Sequence, residues 1–308
     1  MACSSASSSA CRLCAREEHW AAGSCCPARN CSVEVVHKRV TTAPLLAVLS
    51  VHAMSNADLL LTHRSLCSLR EHHRDHATNL LVVDNGSPPP YDASVRRFAL
   101  MANASAIASC ASSCFEFGAL AVASGYAARF GATHVAILQH SMRLLRPIPI
   151  RALPCPLMAF KWFAASSFQS SLGGGSESQN LLRQWVTHRA RRAGAEAAVG
   201  VANGIAHASF VASIHAIASL SDLFESVPIC AKWLSEGSER LLAAVAYTRF
   251  GTGPTGNQLT CTLDGYHKSK PRYIEKTSHV RGGSRAIRPY PSANVTLPAA
   301  TCVAPRKK

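Results

Sequence analysis

Three short apolar runs, each ending in a polar tip, constrain this chain more than any other feature. LLAVLSV begins at Leu45, LLVVD at Leu80 and HVAILQ at His134. None shows the in–out alternation of a strand with one wet face, so each reads as a strand buried on both faces. Between the first two, residues 57–76 carry Leu59, Leu60, Leu66 and Leu69 on one side and His, Arg and Asp opposite, the pattern of an amphipathic helix. Residues 91–102 read as a second helix. Residues 117–131 read as a third, with Gly131 as its stop. Strand, helix, strand, helix, strand with short connections makes an α/β fold, a mostly parallel central sheet with helices on both faces.

That topology locates a site before any motif is considered. Ligands of open parallel sheets sit outside the carboxyl ends of the strands. Here those ends carry residues 52–56, the turn Asp84-Asn85-Gly86-Ser87, and Gln139-His140-Ser141. The second half is less regular. Residues 157–163 read as a strand, 173–176 as a flexible Gly-rich connection, 178–192 as a basic helix and 238–247 as a helix with Glu236 and Glu239 at its start. The longest stretch without Asp, Glu, Lys or Arg spans residues 197–221. Its Asn203, His207 and His215 make it a buried α/β segment rather than a bilayer span. The expected domain covers 45–280, between a Ser/Ala/Cys-rich leader without fixed structure (1–44) and a basic, irregular tail (281–308).

Charge narrows the partners. The chain carries a net +15, and residues 251–308 hold ten basic and two acidic groups, so 10 − 2 = +8 of it lies there. A basic end fits either a site for a polyanion, whether a diphosphate or a nucleic acid, or a sticky tail. Aromatics are 6% and no stacking motif interleaves with the basic run, which counts against nucleic acid. No G-x-S-x-G, H-E-x-x-H or P-loop pattern is present, so hydrolase and nucleotide-triphosphatase readings lose their support.

Six of the 13 cysteines fall in the first 31 residues. Cys11 and Cys14 have metal-ligand spacing, with His19 and His37 nearby, but Cys25, Cys26 and Cys31 make no second close pair. The leader reading is preferred to a zinc site. It lacks the apolar core of a secretory signal, and the odd cysteine total points to a reducing, cytoplasmic setting. Sequons at Asn30, Asn103 and Asn294 are too common by chance to weigh against that.

VVDNGS, followed by GALAVASGYAARFGATHVAILQHSMRLLRP, resembles nucleotide-sugar glycosyltransferases of the GT-A fold, in particular the family-2-like group of the nucleotide-diphospho-sugar transferases. GSERLLAAVAYTRFG is similar to the helix that carries their acidic catalytic residue, and DGYHKSKPRYIEK to their late basic loop. The resemblance spans about residues 45–280. It implies a single Rossmann-like GT-A domain that transfers a sugar from a nucleotide-diphosphate donor to a hydroxyl acceptor. Asp84 would meet the nucleoside, with Asn85 and Ser87 shaping its turn. Glu239, or Glu236 in its place, would be the general base. Arg240, His267, Lys268, Lys270 and Arg272 would neutralise the diphosphate. Plainer readings stand beside these: Asp84 as a turn cap, Glu239 as an acidic residue favoured by a helix N-terminus, Arg240 in a salt bridge, and the basic loop as solvated surface.

The chain departs from the pattern at one point. Gln139, His140 and Ser141 stand where the family has D-x-D, and no D-x-D occurs anywhere. Mg²⁺ and Mn²⁺ favour carboxylate oxygens. The expectation is therefore either metal-independent transfer, with Lys and Arg replacing the cation, or a homologue that binds a sugar or nucleotide without catalysis. His140 with His267 is a weaker candidate for a softer ion. Glu116 and Asp222 are the reserve carboxylates.

Overall fold

The register of three parallel strands places the site. The computed structural model describes residues 31–36, 43–72, 78–110, 115–165, 176–226, 232–251, 261–264 and 270–276. The described strands are, in chain order, β1 (Cys31–Val35), β2 (Leu45–Val51), β3 (Thr78–Asp84), β4 (Ala106–Cys110), β5 (His134–Gln139), β6 (Met142–Leu144), β7 (Leu157–Ala159), β8 (Trp162–Phe163), β9 (Gly204–Ile205), β10 (Phe210–Ser213) and β11 (Ile274–Lys276). A seven-stranded sheet runs in the order β1-β4-β3-β2-β5-β10-β7. β4, β3, β2 and β5 are mutually parallel, while β1 and β10 run against their neighbours. β7 opposes β10 and so shares the direction of β5.

Every residue of β2 is buried, as expected of a central strand covered on both faces. Alternate side chains go to opposite cores. Leu46, Val48, Leu81, Val83, Val135 and Ile137 join one, and Leu45, Ala47, Leu49, Leu80, Val82, Ala136 and Leu138 the other. The described helices are α1 (Asn56–His72), α2 (Tyr91–Met101), α3 (Phe115–Ala127), α4 (Ser176–Arg192), α5 (Ile214–Ser219), α6 (Ser221–Ser226) and α7 (Lys232–Phe250). Leu59, Leu66, Val95 and Phe98 bring α1 and α2 onto the second core; Phe117, Leu120, Trp185 and Leu242 bring α3, α4 and α7 onto the first. A Cβ at Gly237 would lie 2.8 Å from the Trp185 ring, so glycine there lets α7 close on α4.

Local chemistry explains two helix boundaries. Ser55 opens α1: its Oγ accepts the Asp58 N–H at 3.2 Å, and Asp58 Oδ2 accepts the Met54 N–H at 3.0 Å. This is a capping-box arrangement in which the carboxylate reaches one residue further back. α3 runs into a 3₁₀ turn over Ala128–Phe130, which stops at Gly131 in the left-handed region (φ 61°), where glycine carries no Cβ penalty.

The structure corrects the sequence reading in several places. The leader boundary at residue 44 is wrong, because residues 31–35 form β1, paired with β4. Neither strand is recognised from sequence, since AIASC is too short and small-residue-rich to stand out. The remaining leader residues 1–30 and 37–42, with the zinc candidates Cys11, Cys14, His19 and His37, lie outside the described residues, as does the tail 281–308. α7 begins at Lys232 rather than at residue 238, so Glu236 and Glu239 are interior helical residues and the helix-dipole reading of Glu239 fails. Residues 204–219 form β9, a 3₁₀ turn, β10 and α5, with β10 inside the main sheet between β5 and β7. Among the described residues no helix is long and apolar enough to cross a membrane.

Disulfides join Cys31 to Cys110 and Cys155 to Cys261, and Cys67 is disulfide-bonded as well. Such bonds persist in oxidising compartments, which counts against the reducing setting inferred from the odd cysteine total. The first one pins the β1–β4 pair, where Cys31 and Cys110 are register partners.

β11 pairs with β6 beyond the end of β5. What holds it is Asp264, only 5% exposed. Its Oδ1 accepts the N–H of Arg272 at 3.0 Å and of Tyr273 at 2.7 Å, and its Oδ2 accepts that of Ile274 at 3.0 Å. Replacing it with Ala strands three donors. Asp264→Ala is expected to lower stability by ~2 kcal/mol in urea titration, and Asp264→Asn, which keeps one acceptor, by less. Equal stability of Asp264→Ala and wild type would show that this carboxylate does not anchor the segment.

Candidate functional site

Asp84 and Gln139 stand at the carboxyl ends of β3 and β5, on either side of β2. Asp84 is the register partner of Val51 and Gln139 that of Ser50. Two interstrand spacings separate β3 from β5, about 10 Å. Their parity differs: Asp84 follows Leu80 and Val82 on the α1/α2 side, and Gln139 follows Val135 and Ile137 on the α3/α7 side. A ligand touching both would lie across the strand ends.

The first tip is a closed polar turn. Asp84 Oδ1 accepts the Ser87 N–H at 3.0 Å and its Oγ–H at 2.6 Å. Ser87 Oγ in turn accepts the Ala53 N–H at 2.8 Å. Asn85 Nδ2 donates to Ser50 Oγ at 2.7 Å, and the Asn85 carbonyl meets His52 Nδ1 at 3.0 Å. These bonds lock the β3 tip onto the β2 tip. Burial raises the Asp84 carboxyl above its ordinary value, against the lowering effect of the Ser87 bonds. The turn-cap reading of Asp84 is thus what the geometry contains.

The second tip is divided between two partners. His140 faces α1: its Nε2 lies 3.8 Å from Asp58 Oδ1, and its carbonyl accepts from Ser65 Oγ at 2.6 Å. Ser141 is buried. Gln139 faces the other way, into a cluster that the sequence reading did not assemble. Its Nε2 donates to Glu116 Oε1 on α3 and to the His207 carbonyl at 3.2 Å. Its Oε1 accepts from Lys276 Nζ at 2.9 Å. The network therefore fixes which way the amide points. Lys276 Nζ also lies 2.7 Å from His207 Nδ1. An ammonium only donates, so Nδ1 is the acceptor and His207 is held as the neutral tautomer with its proton on Nε2. Glu239 Oε1 stands 4.0 Å from the same Nδ1.

His207 is held at a cost. It and Ala208 both have positive φ, 63° and 45°, uncommon for residues with a Cβ and worth ~1–3 kcal/mol each. Such strain gathers at functional positions. The cluster is closed behind by Ser235 Oγ, which donates to Glu116 Oε2 at 2.6 Å. Lys276 reaches it only because β11 is docked on β6, with Lys276 opposite Met142.

Other expected residues are placed elsewhere. Arg240 is 8% exposed; its guanidinium lies 4.4 Å from the Phe163 ring centroid and donates to the carbonyl of Ala165 at 3.1 Å. Burial lowers its pKa to about 10. Its described bonds hold the segment after β8. Glu236 is half-buried on α7, while Lys270 and Arg272 are exposed. His267 and Lys268 lie outside the described residues, and with them the His140–His267 ion candidate. Of the reserve carboxylates, Glu116 is in the cluster, but Asp222 pairs with Arg249 at 2.8 Å with its side chain 67% exposed. Among the described residues no three His, Cys, Asp or Glu groups are arranged to hold a metal ion.

Compared with known proteins, the chain matches no family model and no curated protein. His207 and Lys276 could have been found in sequence only as polar residues in apolar or basic surroundings. Their signal is tertiary.

Asp58 gives this region a measurable pH dependence. Burial raises its carboxyl, but bonds from His140, the Met54 N–H and Ser55 outweigh that and bring it from 3.8 to about 2. A lowered folded-state pKa contributes stability above the unfolded value and loses it as pH falls through the folded one. The expected contribution, ~2 kcal/mol, is complete above about pH 5 and gone near pH 2. In urea titrations the gap between wild type and Asp58→Asn should shrink by that amount across this window; a constant gap would mean Asp58 is not held by these bonds.

Proposed function

We propose that the chain is a GT-A-like glycosyltransferase that uses a nucleotide-diphosphate sugar without a divalent cation at the strand tip. The observation that carries the reading is the Lys276 ammonium seated on Gln139, at the position where the resembled family places metal-binding carboxylates. Two further features support it. The antiparallel strand β10 lies between β5 and β7 in a mostly parallel sheet. Glu239 also faces the same cluster from α7.

In this reading the nucleoside lies at the β3 tip, with Asp84 as its hydrogen-bond acceptor. The diphosphate runs toward Gln139 and the basic segment that leads into β11. Glu239 takes the proton from the acceptor hydroxyl as its oxygen bonds to the anomeric carbon. The bond from that carbon to the diphosphate oxygen breaks, and its electron pair leaves with the diphosphate. Lys276, with Lys270 and Arg272, offsets the charge that develops there. A second reading, binding of the sugar nucleotide without turnover, is favoured by the low exposure of Glu239, whose side chain is 11% accessible.

A calorimetric panel of nucleotide sugars separates these. Binding is expected to persist in EDTA. Lys276→Met and Asp84→Ala should each weaken it by roughly 10–100-fold, the equivalent of ~1.5–3 kcal/mol for a charged hydrogen bond. Glu239→Gln should leave binding within about twofold and lower turnover by at least ~100-fold. Binding with no turnover in wild type selects the second reading. Strict dependence on Mn²⁺, or unchanged affinity in Lys276→Met, removes the first.

A further inference from the structure

We infer that Asn103 is an N-linked glycosylation site, and that this chain matures in an oxidising secretory compartment. The inference does not rest on the proposed activity. Two independent observations meet in it. The first is the turn between α2 and β4. Residues 103–105 read Asn-Ala-Ser, an acceptor sequon with a small, non-proline middle residue. Asn103 is exposed and sits in the left-handed region at φ 58°. Its N–H bonds the Leu100 carbonyl at 3.0 Å, which closes the end of α2. Asparagine tolerates this conformation better than most residues with a Cβ. The amide side chain thus stands on a tight turn at the surface, where a bulky, hydrated substituent displaces no packing.

The second observation is the cysteine pairing. Two disulfides, Cys31–Cys110 and Cys155–Cys261, are formed between residues 79 and 106 positions apart, and Cys67 is bonded as well. Bonds of this kind accumulate in chains that fold in the oxidising compartments, where asparagine is also glycosylated. A sequon alone is weak. A sequon on an exposed turn of a disulfide-bonded chain is not.

The position is also compatible with the crevice. Asn103 precedes β4, so it lies at the amino ends of the parallel strands, opposite Asp84 and Gln139. A glycan there leaves the candidate site open. Ser105 sets the timing. It is 7% exposed, its Oγ donates to Asn79 Oδ1 at 3.0 Å and accepts the Leu80 N–H at 3.3 Å. The hydroxyl that the transferring enzyme must read is therefore built into the fold, and transfer has to precede its burial. In that step Asn103 Nδ2 loses a proton and bonds the anomeric carbon of a lipid-diphosphate-linked oligosaccharide. The sugar–phosphate bond breaks and the lipid diphosphate leaves.

The test uses full-length chain isolated from its own cells. Peptide N-glycosidase treatment in ¹⁸O-water, followed by peptide mass spectrometry, should convert residue 103 to isotope-labelled Asp, while alkylation without reduction should leave Cys31, Cys110, Cys155 and Cys261 unmodified. Asn103→Gln should fold, lose that label and migrate lower by one glycan. Labelling only at the other sequons, Asn30, Asn85 or Asn294, or an unmodified Asn103 peptide, overturns the site. Free thiols at those four cysteines overturn the compartment and the site together.

Discussion

The burial of β2 on both faces is the constraint on which the rest depends. A strand with no wet face has no tolerance for a one-residue slip, because the slip would exchange its two cores. The register Val51–Asp84 and Ser50–Gln139 follows. It brings the polar tips of β3 and β5 to one end of the sheet, where no further backbone pairing competes for their side chains. The tips then bind one another: Asn85 reaches Ser50, Ser87 reaches Ala53, and the His140 N–H reaches the Ser50 carbonyl at 2.9 Å. The clustering of polar tips at this end of the sheet is thus a by-product of the hydrophobic pattern, stiffened by hydrogen bonds between neighbouring tips.

The walls have a different origin. β11 contributes only three residues, too few to hold by pairing alone, and Asp264 supplies the missing anchorage with three backbone bonds. Ile274, 1% exposed, adds its side chain to the α1/α2 core. Lys276 is placed on Gln139 with the help of a carboxylate twelve residues away in sequence. His207 arrives from the opposite direction, on a strained turn ahead of β10.

Much of this was legible in the sequence, and the boundary is physical. β2, β3 and β5 were readable because uninterrupted apolar runs have few alternatives. α1, α2 and α3 were readable from their periodicity. β1 and β4 were not, since a short strand of small residues takes its identity from its neighbour. At the site, the positions of Asp84, Gln139 and His140 were legible from topology alone, because a strand end is a local property. Glu239 does stand beside the cluster, but the sequence suggested the wrong local reason for it, as the helix starts nearly two turns earlier. His207, Lys276 and Asp264 were missed because their contacts exist only after residues from separate segments have met.

Charge places a limit on what Lys276 can do by itself. Around Gln139 stand two carboxyls, Glu116 and Glu239, the Lys276 ammonium and His207, with Arg240 acting on Glu239 from the same helix. Lys276 is therefore shared with acidic neighbours, and on the proposed reading it does not alone balance a diphosphate. The ammonium instead ties the β5 tip to β11 and to His207 through its bonds to Gln139 and the imidazole. On the proposed reading, further cations come from the approach to β11, where Lys270 and Arg272 are exposed. Exposed cations bind weakly one by one and are screened by salt. On the proposed reading, a diphosphate held this way would be gripped by several modest contacts rather than one strong ion, and its release would need no metal to leave with it.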